Sequence, residues 1–370
     1  MIWSMPKLST LLAVVILSAS ACIAEPLQKV WMLDLKSVLK SDSQMPVALL
    51  EFSPDGRRIA VVIRRNRDAA KPSDLLVVVD AEHPSQHLEQ FEPDWRIVGD
   101  TLAPKEFSWS PSGEMIDIGG AIIHLLDRKF CRVPTPGGFV RDDEIIADNP
   151  SAKPNSPESE FTIFDNDCHP RTSWGSEQQY ISDISIHRRQ VLFARPGPPR
   201  TEAIVSADTG TTIKEFRGAS LVQGVFAENG GAICGKIGLA GGSQSSTACW
   251  NSESGRQLGV APVNLGQPFA VSASSSRIVV ADYLRSRGPT RDLDQNTFKN
   301  LVVWDFLSGQ VIASWKPEMQ VYDGPDNKNG RPPRRFTEPP RFAISPDGRA
   351  VIDGSNGMIT LYKILVGPSQ

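Results

Sequence analysis

The side chains that could do chemistry in this chain are few and scattered. Five histidines, His83, His87, His124, His169 and His187, lie far apart for the most part. Beyond Cys22, the cysteines Cys131, Cys168, Cys234 and Cys249 have neither CxxC nor Cys/His spacing. Structural zinc is usually announced by such spacing, so no metal is expected. Ser206-x-Asp208-x-Gly210-x-Thr212 has the spacing of an Asp-box, and Asp326-Asn327-Lys328-Asn329-Gly330 looks like part of a calcium loop. With Gly330 in the sixth place of that loop, Pro325 would fall on the first ligand position, where an oxygen side chain is required. His83 and His87 read as solvated residues of one turn. The sequence has no G-x-S-x-G elbow, no phosphate-cradling glycine loop and no adjacent cysteine pair, so no cofactor is expected either.

Two groups of residues keep a functional reading. Arg64, Arg65, Arg67, Arg287, Arg291, Arg331, Arg334 and Arg335 lie in long polar stretches, with Trp174, Tyr283 and Tyr322 among or beside them. Arg and aromatic side chains are favoured anchors of binding surfaces. The candidate binding residues are therefore Arg64, Arg65, Trp174, Tyr283, Arg287, Arg291, Tyr322, Arg331, Arg334 and Arg335. The same stretches hold Asp68, Asp292, Asp294, Asp323 and Asp326, and the alternative is a set of solvated surface loops. The second group is Asp117, Asp282 and Asp353, each on or just after an apolar run. They would matter chemically if a fold made them converge; otherwise such residues cap strand ends and turns.

The elements that must position these residues emerge from an internal repeat. Leu50-Glu51-Phe52-Ser53-Pro54-Asp55-Gly56-Arg57-Arg58-Ile59-Ala60-Val61 is echoed by Arg341-Phe342-Ala343-Ile344-Ser345-Pro346-Asp347-Gly348-Arg349-Ala350-Val351-Ile352, and again by Phe107 to Ile116. In each copy Pro or a polar residue sets the turn, Asp or Ser hydrogen-bonds its own backbone, and Gly takes the positive φ. Looser copies lie at Ile186 to Val191, Phe226 to Gly231 and Val271 to Ile278. A second unit follows each first one: Leu301-Val302-Val303-Trp304-Asp305-Phe306-Leu307-Ser308-Gly309 matches Ala248 to Gly255, Ala203 to Gly210 and, more loosely, Leu76 to Pro84. The repeat is thus strand, tight turn, strand, variable loop, strand, tight turn, strand.

Trp304-Asp305 closing a third strand, with Ser308-Gly309 in the next turn, resembles the WD40 repeat. The Ser-Pro-Asp-Gly turns are similar to those of secreted bacterial WD40-like and YVTN-type propellers. The Gly-His dipeptide of strict WD40 repeats is missing, and one blade alone carries the literal Trp-Asp pair. The resemblance implies an all-β chain, a β-propeller of four-stranded antiparallel blades. First-turn anchors near Ser53, Ser110, Arg141, Arg188, Ala227, Ala273 and Ser345 give seven blades, and six or eight stay compatible with the spacing. Gly138 to Ile146 and Glu160 to Phe164 supply the middle strands of the weakest one. The last blade has three strands, ending in Met358 to Ile364, so Val30 to Leu35 is expected to complete it and close the ring.

In such blades the first-to-second and third-to-fourth turns share one face. The second-to-third loops and the links between blades share the other. Nearly every long insertion falls in the latter class: Arg64 to Asp74, Glu89 to Glu106, Asp148 to Ser159, Pro196 to Thr201, Gly238 to Thr247, Tyr283 to Lys299 and Pro317 to Pro340. One face is expected to be trimmed and the other elaborated, and long loops on a compact frame commonly carry function.

The amino terminus sets the compartment. Lys7, the apolar run Leu11 to Leu17 and the small residues Ser18 to Ala21 form the layout of a secretory signal peptide, too short to span a bilayer of ~20 apolar residues. We read residues 1–24 as that signal and 25–370 as a single propeller domain, secreted or periplasmic. The Ala21-Cys22 junction also resembles a lipoprotein processing site, although Ala19 stands where that motif carries Leu, so membrane attachment would be confined to a lipid on Cys22. Thiols outside the cytoplasm tend to pair. Cys234 with Cys249, on adjacent apolar runs, is the favoured disulfide; Cys131 with Cys168 is the remaining pairing, and buried free thiols are the alternative.

A net charge of −3 lacks the basic excess that nucleic acid demands. Two functions follow. The first is a non-enzymatic binding platform for a protein or an envelope polymer, using the elaborated face. The alternative, implied by the resemblance to bacterial propellers, is a lactonase- or lyase-type enzyme working at the central channel.

Overall fold

The computed structural model describes residues 27–40, 45–63, 74–92, 107–148, 159–176, 180–195, 201–217, 222–238, 245–262, 265–272, 274–285, 296–318, 320–323, 335–338 and 340–365. The signal segment and Cys22 lie outside them.

The described chain is nearly all β. After β1 (Leu27–Asp34) and the short helix α1 (Leu35–Leu39), strands follow in groups of four. Blade 1 is β2 (Val47–Phe52), β3 (Arg58–Ile63), β4 (Leu75–Asp80) and β5 (Leu88–Phe91). Blade 2 is β6 (Phe107–Trp109), β7 (Met115–Ile118), β8 (Ala121–His124) and β9 (Phe130–Arg132). Blade 3 is β10 (Gly137–Arg141), β11 (Glu144–Asp148), β12 (Ser159–Asp165) and β13 (Pro170–Ser176). Blade 4 is β14 (Tyr180–Ser185), β15 (Gln190–Arg195), β16 (Thr201–Ser206) and β17 (Thr212–Arg217). Blade 5 is β18 (Val222–Ala227), β19 (Ala232–Gly238), β20 (Ser245–Asn251) and β21 (Gln257–Val260). Blade 6 is β22 (Leu265–Val271), β23 (Arg277–Arg285), β24 (Asn296–Asp305) and β25 (Val311–Trp315). A separate hairpin, β26 (Gln320–Asp323) and β27 (Arg335–Glu338), precedes blade 7, which is β28 (Arg341–Ile344), β29 (Ala350–Ser355), β30 (Met358–Ile364) and β1.

The turns form for the reasons their residues suggest. In blade 1 the Ser53 Oγ donates to Asp55 Oδ1 at 2.6 Å and accepts from Arg58 N at 2.9 Å, while Gly56, at φ 72°, donates its N–H to Ser53 O at 2.8 Å. Ser345, Asp347 and Gly348 repeat the arrangement in blade 7, with Ser345 Oγ 2.6 Å from Asp347 Oδ1 and Gly348 at φ 70°. In the third-to-fourth turn of blade 6, Asp305 Oδ1 accepts from the N–H groups of Leu307 and Ser308, both at 3.0 Å.

Middle strands such as β3 and β4 are buried along nearly their whole length. Both faces of a blade pack on neighbours, so these strands are continuous apolar runs. The core is correspondingly divided into seven apolar clusters, one in each seam between successive blades, including the seam between blades 7 and 1. The ring is therefore seven-bladed and closed. β1 seals it by pairing antiparallel with β30, from Leu27 opposite Ile364 to Asp34 opposite Met358.

Some boundaries differ from the sequence expectation. The closing strand begins three residues earlier than Val30 and stops before Leu35, because Asp34 accepts from Lys36 N at 3.0 Å and starts α1 there. Tyr283 and Lys299 are not loop residues: β23 runs out to Arg285 and β24 starts at Asn296, pairing Tyr283 with Phe298. Leu88–Phe91 likewise takes residues from the expected link between blades 1 and 2. Both disulfides are formed. Cys234 and Cys249 face each other across β19 and β20, and Cys131 on β9 is joined to Cys168 in the third-to-fourth turn of blade 3, tying two blades together.

Candidate functional site

The two faces of the ring are built differently. On the trimmed face tight turns are clasped to the neighbouring blade at five of the seven junctions. Arg58 Nη2 donates to Gly113 O at 2.7 Å and its guanidinium lies 5.5 Å from the Trp109 ring centroid, joining blades 1 and 2. Asp142 Oδ1 accepts from Ser112 N at 2.5 Å between blades 2 and 3. Arg189 forks onto Asp208 within blade 4 and reaches Glu144 of blade 3 at 3.1 Å. Arg188 pairs with Glu253, and Lys214 Nζ reaches Ser254 O at 3.3 Å, between blades 4 and 5. Arg277 Nη1 donates to Gly348 O at 2.9 Å between blades 6 and 7. Many hydrogen-bonding groups of these turns are spent on one another. Ser206-x-Asp208-x-Gly210-x-Thr212 belongs to this face too: Gly210, at φ 69°, donates its N–H to Ser206 O at 2.9 Å, which makes the motif a turn.

The long connections that the sequence marked lie mostly outside the described residues. Arg64, Arg65, Arg287, Arg291, Arg331 and Arg334 lie outside the described residues. Tyr322 and Arg335 lie on the β26–β27 hairpin, opposite Phe336 and Asp323 respectively. Trp174 is described with its side chain. Its half-buried ring lies 5.2 Å from Phe161 and 5.9 Å from Phe193 by centroids, and its Nε1 donates to Ala207 O at 3.2 Å. The indole is committed to the seam between blades 3 and 4, where a Cβ on Gly210 would come within 2.5 Å of it.

Sequence reasoning missed Gln320. Its buried amide reads both polar groups of one residue of β2: Oε1 accepts from Val47 N at 2.8 Å and Nε2 donates to Val47 O at 3.2 Å. The hairpin inserted between blades 6 and 7 is thereby pinned to the innermost strand of blade 1. Nothing in a Pro- and Gly-rich insertion marks one glutamine for this role.

Of the carboxyls singled out for chemistry, Asp117 and Asp353 lie in separate seams. Asp117, fully buried, accepts from Gly120 N at 2.9 Å and caps the Gly119-Gly120 turn; burial pushes it up to about 7 against the pull of the Gly120 and Gly137 N–H groups. Asp353 is raised by burial to about 6, with the Trp315, Tyr362 and Thr360 side chains and Lys29 pulling it back in part, and burial with the Asp353 charge pushes Tyr362 up to about 12. Asp282 is described only in its backbone, opposite Leu265 and Asn300. A further acid, Glu202, is buried on β16 and pushed up to about 8. Asp117 faces blade 3, Glu202 faces blade 5 and Asp353 faces blade 6, so no two share a pocket. Among the described residues no three His, Cys, Asp or Glu side chains gather as metal ligands would.

Comparison with solved structures bears on the architecture. A chain in the crystal structure of the mitotic checkpoint complex is similar over 98% of this chain and 100% of its own, at 12% identity and a TM-score of 0.56. The β-propeller domain of Myceliophteria thermophila Cps50 (Swd1) is similar over 92% of this chain and 100% of its own, at 11% identity and a TM-score of 0.56. The chain shares the β-propeller fold. No protein-family model matches the sequence, and no curated protein matches it significantly. What is shared is the frame, and a propeller frame implies no single function.

Proposed function

We propose that this chain is an exported binding platform that holds a protein or an envelope polymer on its elaborated face. The observation that carries the reading is the asymmetry of the ring. Turns of the trimmed face are bound to one another, whereas the sequence assigns its long insertions to the other face, where a described hairpin is fixed by Gln320 to blade 1. A chain of this fold serving inside an assembled complex is a precedent for such use. The dispersal of the raised carboxyls among separate seams argues the same way, since acid–base chemistry needs its groups within reach of one substrate. Export rests on the tripartite layout of residues 1–24 and agrees with two disulfides in the folded chain. A lipid on Cys22 would tether the platform without changing its face.

The test is a pull-down of envelope and extracellular fractions with the mature chain and two variants. One changes Arg331, Arg334 and Arg335 to Ser on the elaborated face; the other changes the exposed Asp127 and Lys129 of the trimmed face to Ser. A partner retained by the second variant and lost by the first is the expected result. Equal recovery from both, or no partner at all, would refute it.

A further inference from the structure

The seam between blades 4 and 5 holds a carboxyl that no described residue neutralises. Glu202 is the second residue of β16, just after the link at the elaborated end of the blade, and is 1% exposed. Its side chain crosses to β18, where Gly224 makes room for it: a Cβ at that position would lie 2.6 Å from Oε2 and 2.8 Å from the Leu192 side chain. Neither carboxyl oxygen has a hydrogen-bond partner. The remaining walls are apolar, formed by Leu192, Ile204, Phe216, Phe226, Ile233, Ala248 and Trp250 of the same seam.

Among the described residues the charges on the surrounding strands do not answer it: Asp183 of β14, buried beside β18, is itself an acid and accepts from Phe226 N. Pairing places Ala194 and Phe216 beside Glu202, with Ile204 and Lys214 next on the same face. Lys214 is spent at the opposite, trimmed end of the seam, on Ser254 O. The register positions of Arg195, Glu215 and Arg217 alternate to the face toward blade 3. From blade 5, Ile233 and Gly235 face Glu202, while Lys236 alternates with Cys234 toward blade 6. Among the described residues the seam thus offers an ionised Glu202 only the pull of the nearby Gly224 N–H, which completes no hydrogen bond to it. An unpaired buried charge is far costlier than a buried neutral acid.

We propose that this seam is a proton-operated joint, closed while Glu202 carries its proton and loosened when the carboxyl ionises. The direction of its titration agrees: burial raises Glu202 to about 8, and the Gly224 N–H lowers it only in part. Because the folded value lies above the ordinary carboxyl value of 4.5, closure is complete below that value and is lost as pH rises from there to about 8. The joint sits at the elaborated rim, beside an innermost strand, and acts independently of which partner the face holds.

The experiment is residue-resolved hydrogen exchange on the folded chain between pH 5 and 9, corrected for intrinsic rates. The opening constant for amides of β16 and β18 is expected to climb by up to about tenfold per pH unit and to level off above the Glu202 transition. Glu202→Gln should remove that climb while leaving the other seams unchanged, and Asp353→Asn should leave it in place. Flat protection of this seam in the wild type, a climb shared equally by all seams, or a slope that survives in Glu202→Gln would each overturn the joint. Should Glu202→Gln fold poorly, Glu202→Leu, which keeps the site apolar, is held to the same outcome.

Discussion

Trp174, a candidate binding residue, also carries packing. A half-exposed Trp beside long loops has the profile of a binding anchor, yet here its ring is packed on Phe161 and Phe193 and its N–H is given to Ala207 O. The turn beneath it needs glycine twice over, since Gly210 takes a φ of 69° and leaves no room for a Cβ under the indole. Trp174→Ala should therefore cost about 2–4 kcal/mol in urea denaturation, through lost aromatic packing and an unpaired carbonyl. Partner capture by the molecules that remain folded should be unchanged. A variant of wild-type stability that fails to capture would return Trp174 to the binding surface.

At the scale of the element, the hairpin between blades 6 and 7 is held by one amide against one residue of β2. Gln320→Ala leaves the buried N–H and C=O of Val47 without that partner, a penalty of about 1–3 kcal/mol. Hydrogen exchange should report faster opening in β26 and β27, and in β2 at Val47, with blades 3 to 5 unaffected. Uniform protection would mean that other contacts hold the hairpin. This element also marks the limit of what the residues disclose. The blades are legible because their turns are chemically specific: Ser53-Pro54-Asp55-Gly56 and Asp305-Phe306-Leu307-Ser308-Gly309 each encode hydrogen bonds that are observed. The Cys234–Cys249 pair is legible because adjacent strands place the two directly opposite. By contrast, the strands beyond Asp282 are hidden by charged and polar residues, and the start of β1 by Gln28 and Lys29, whose pairing is with backbone and not with a core. Glu202, between Thr201 and Ala203, reads as a solvent-facing strand start. Its burial is set by Gly224, twenty-two positions away and on another blade.

At the scale of the molecule, the ring concentrates its untidy charges in the seams and its tidy ones at the turns, and this sets how stability responds to pH. Asp34, Asp55, Asp80, Asp165 and Asp208 are lowered: hydrogen bonds lead for Asp34 (Ser37), Asp80 (His83), Asp165 (His169) and Asp208 (Arg189), whereas for Asp55 the Ser53 and Arg57 bonds outweigh the opposing burial. Their contribution is present above the ordinary aspartate value of 3.8 and disappears as pH falls through their folded values. Asp117, Glu202 and Asp353 are raised, to about 7, 8 and 6, chiefly by burial. The unfolded chain releases those three protons earlier than the folded one does, so their effect is a loss of stability that grows as pH rises from the ordinary carboxyl range to about 8. The two sets together place maximum stability near pH 5, on the acid side of neutrality, with a long decline toward alkali. Thermal unfolding followed from pH 3 to 9 should show that asymmetric dome. The combined variant Asp117→Asn, Glu202→Gln and Asp353→Asn should flatten the alkaline limb and leave the acid limb in place, because the turn aspartates are untouched. Since the three sites lie in different seams with no shared partner, their single effects should add. A decline that persists undiminished in the triple variant would locate the pH sensitivity elsewhere and leave the seams as passive packing.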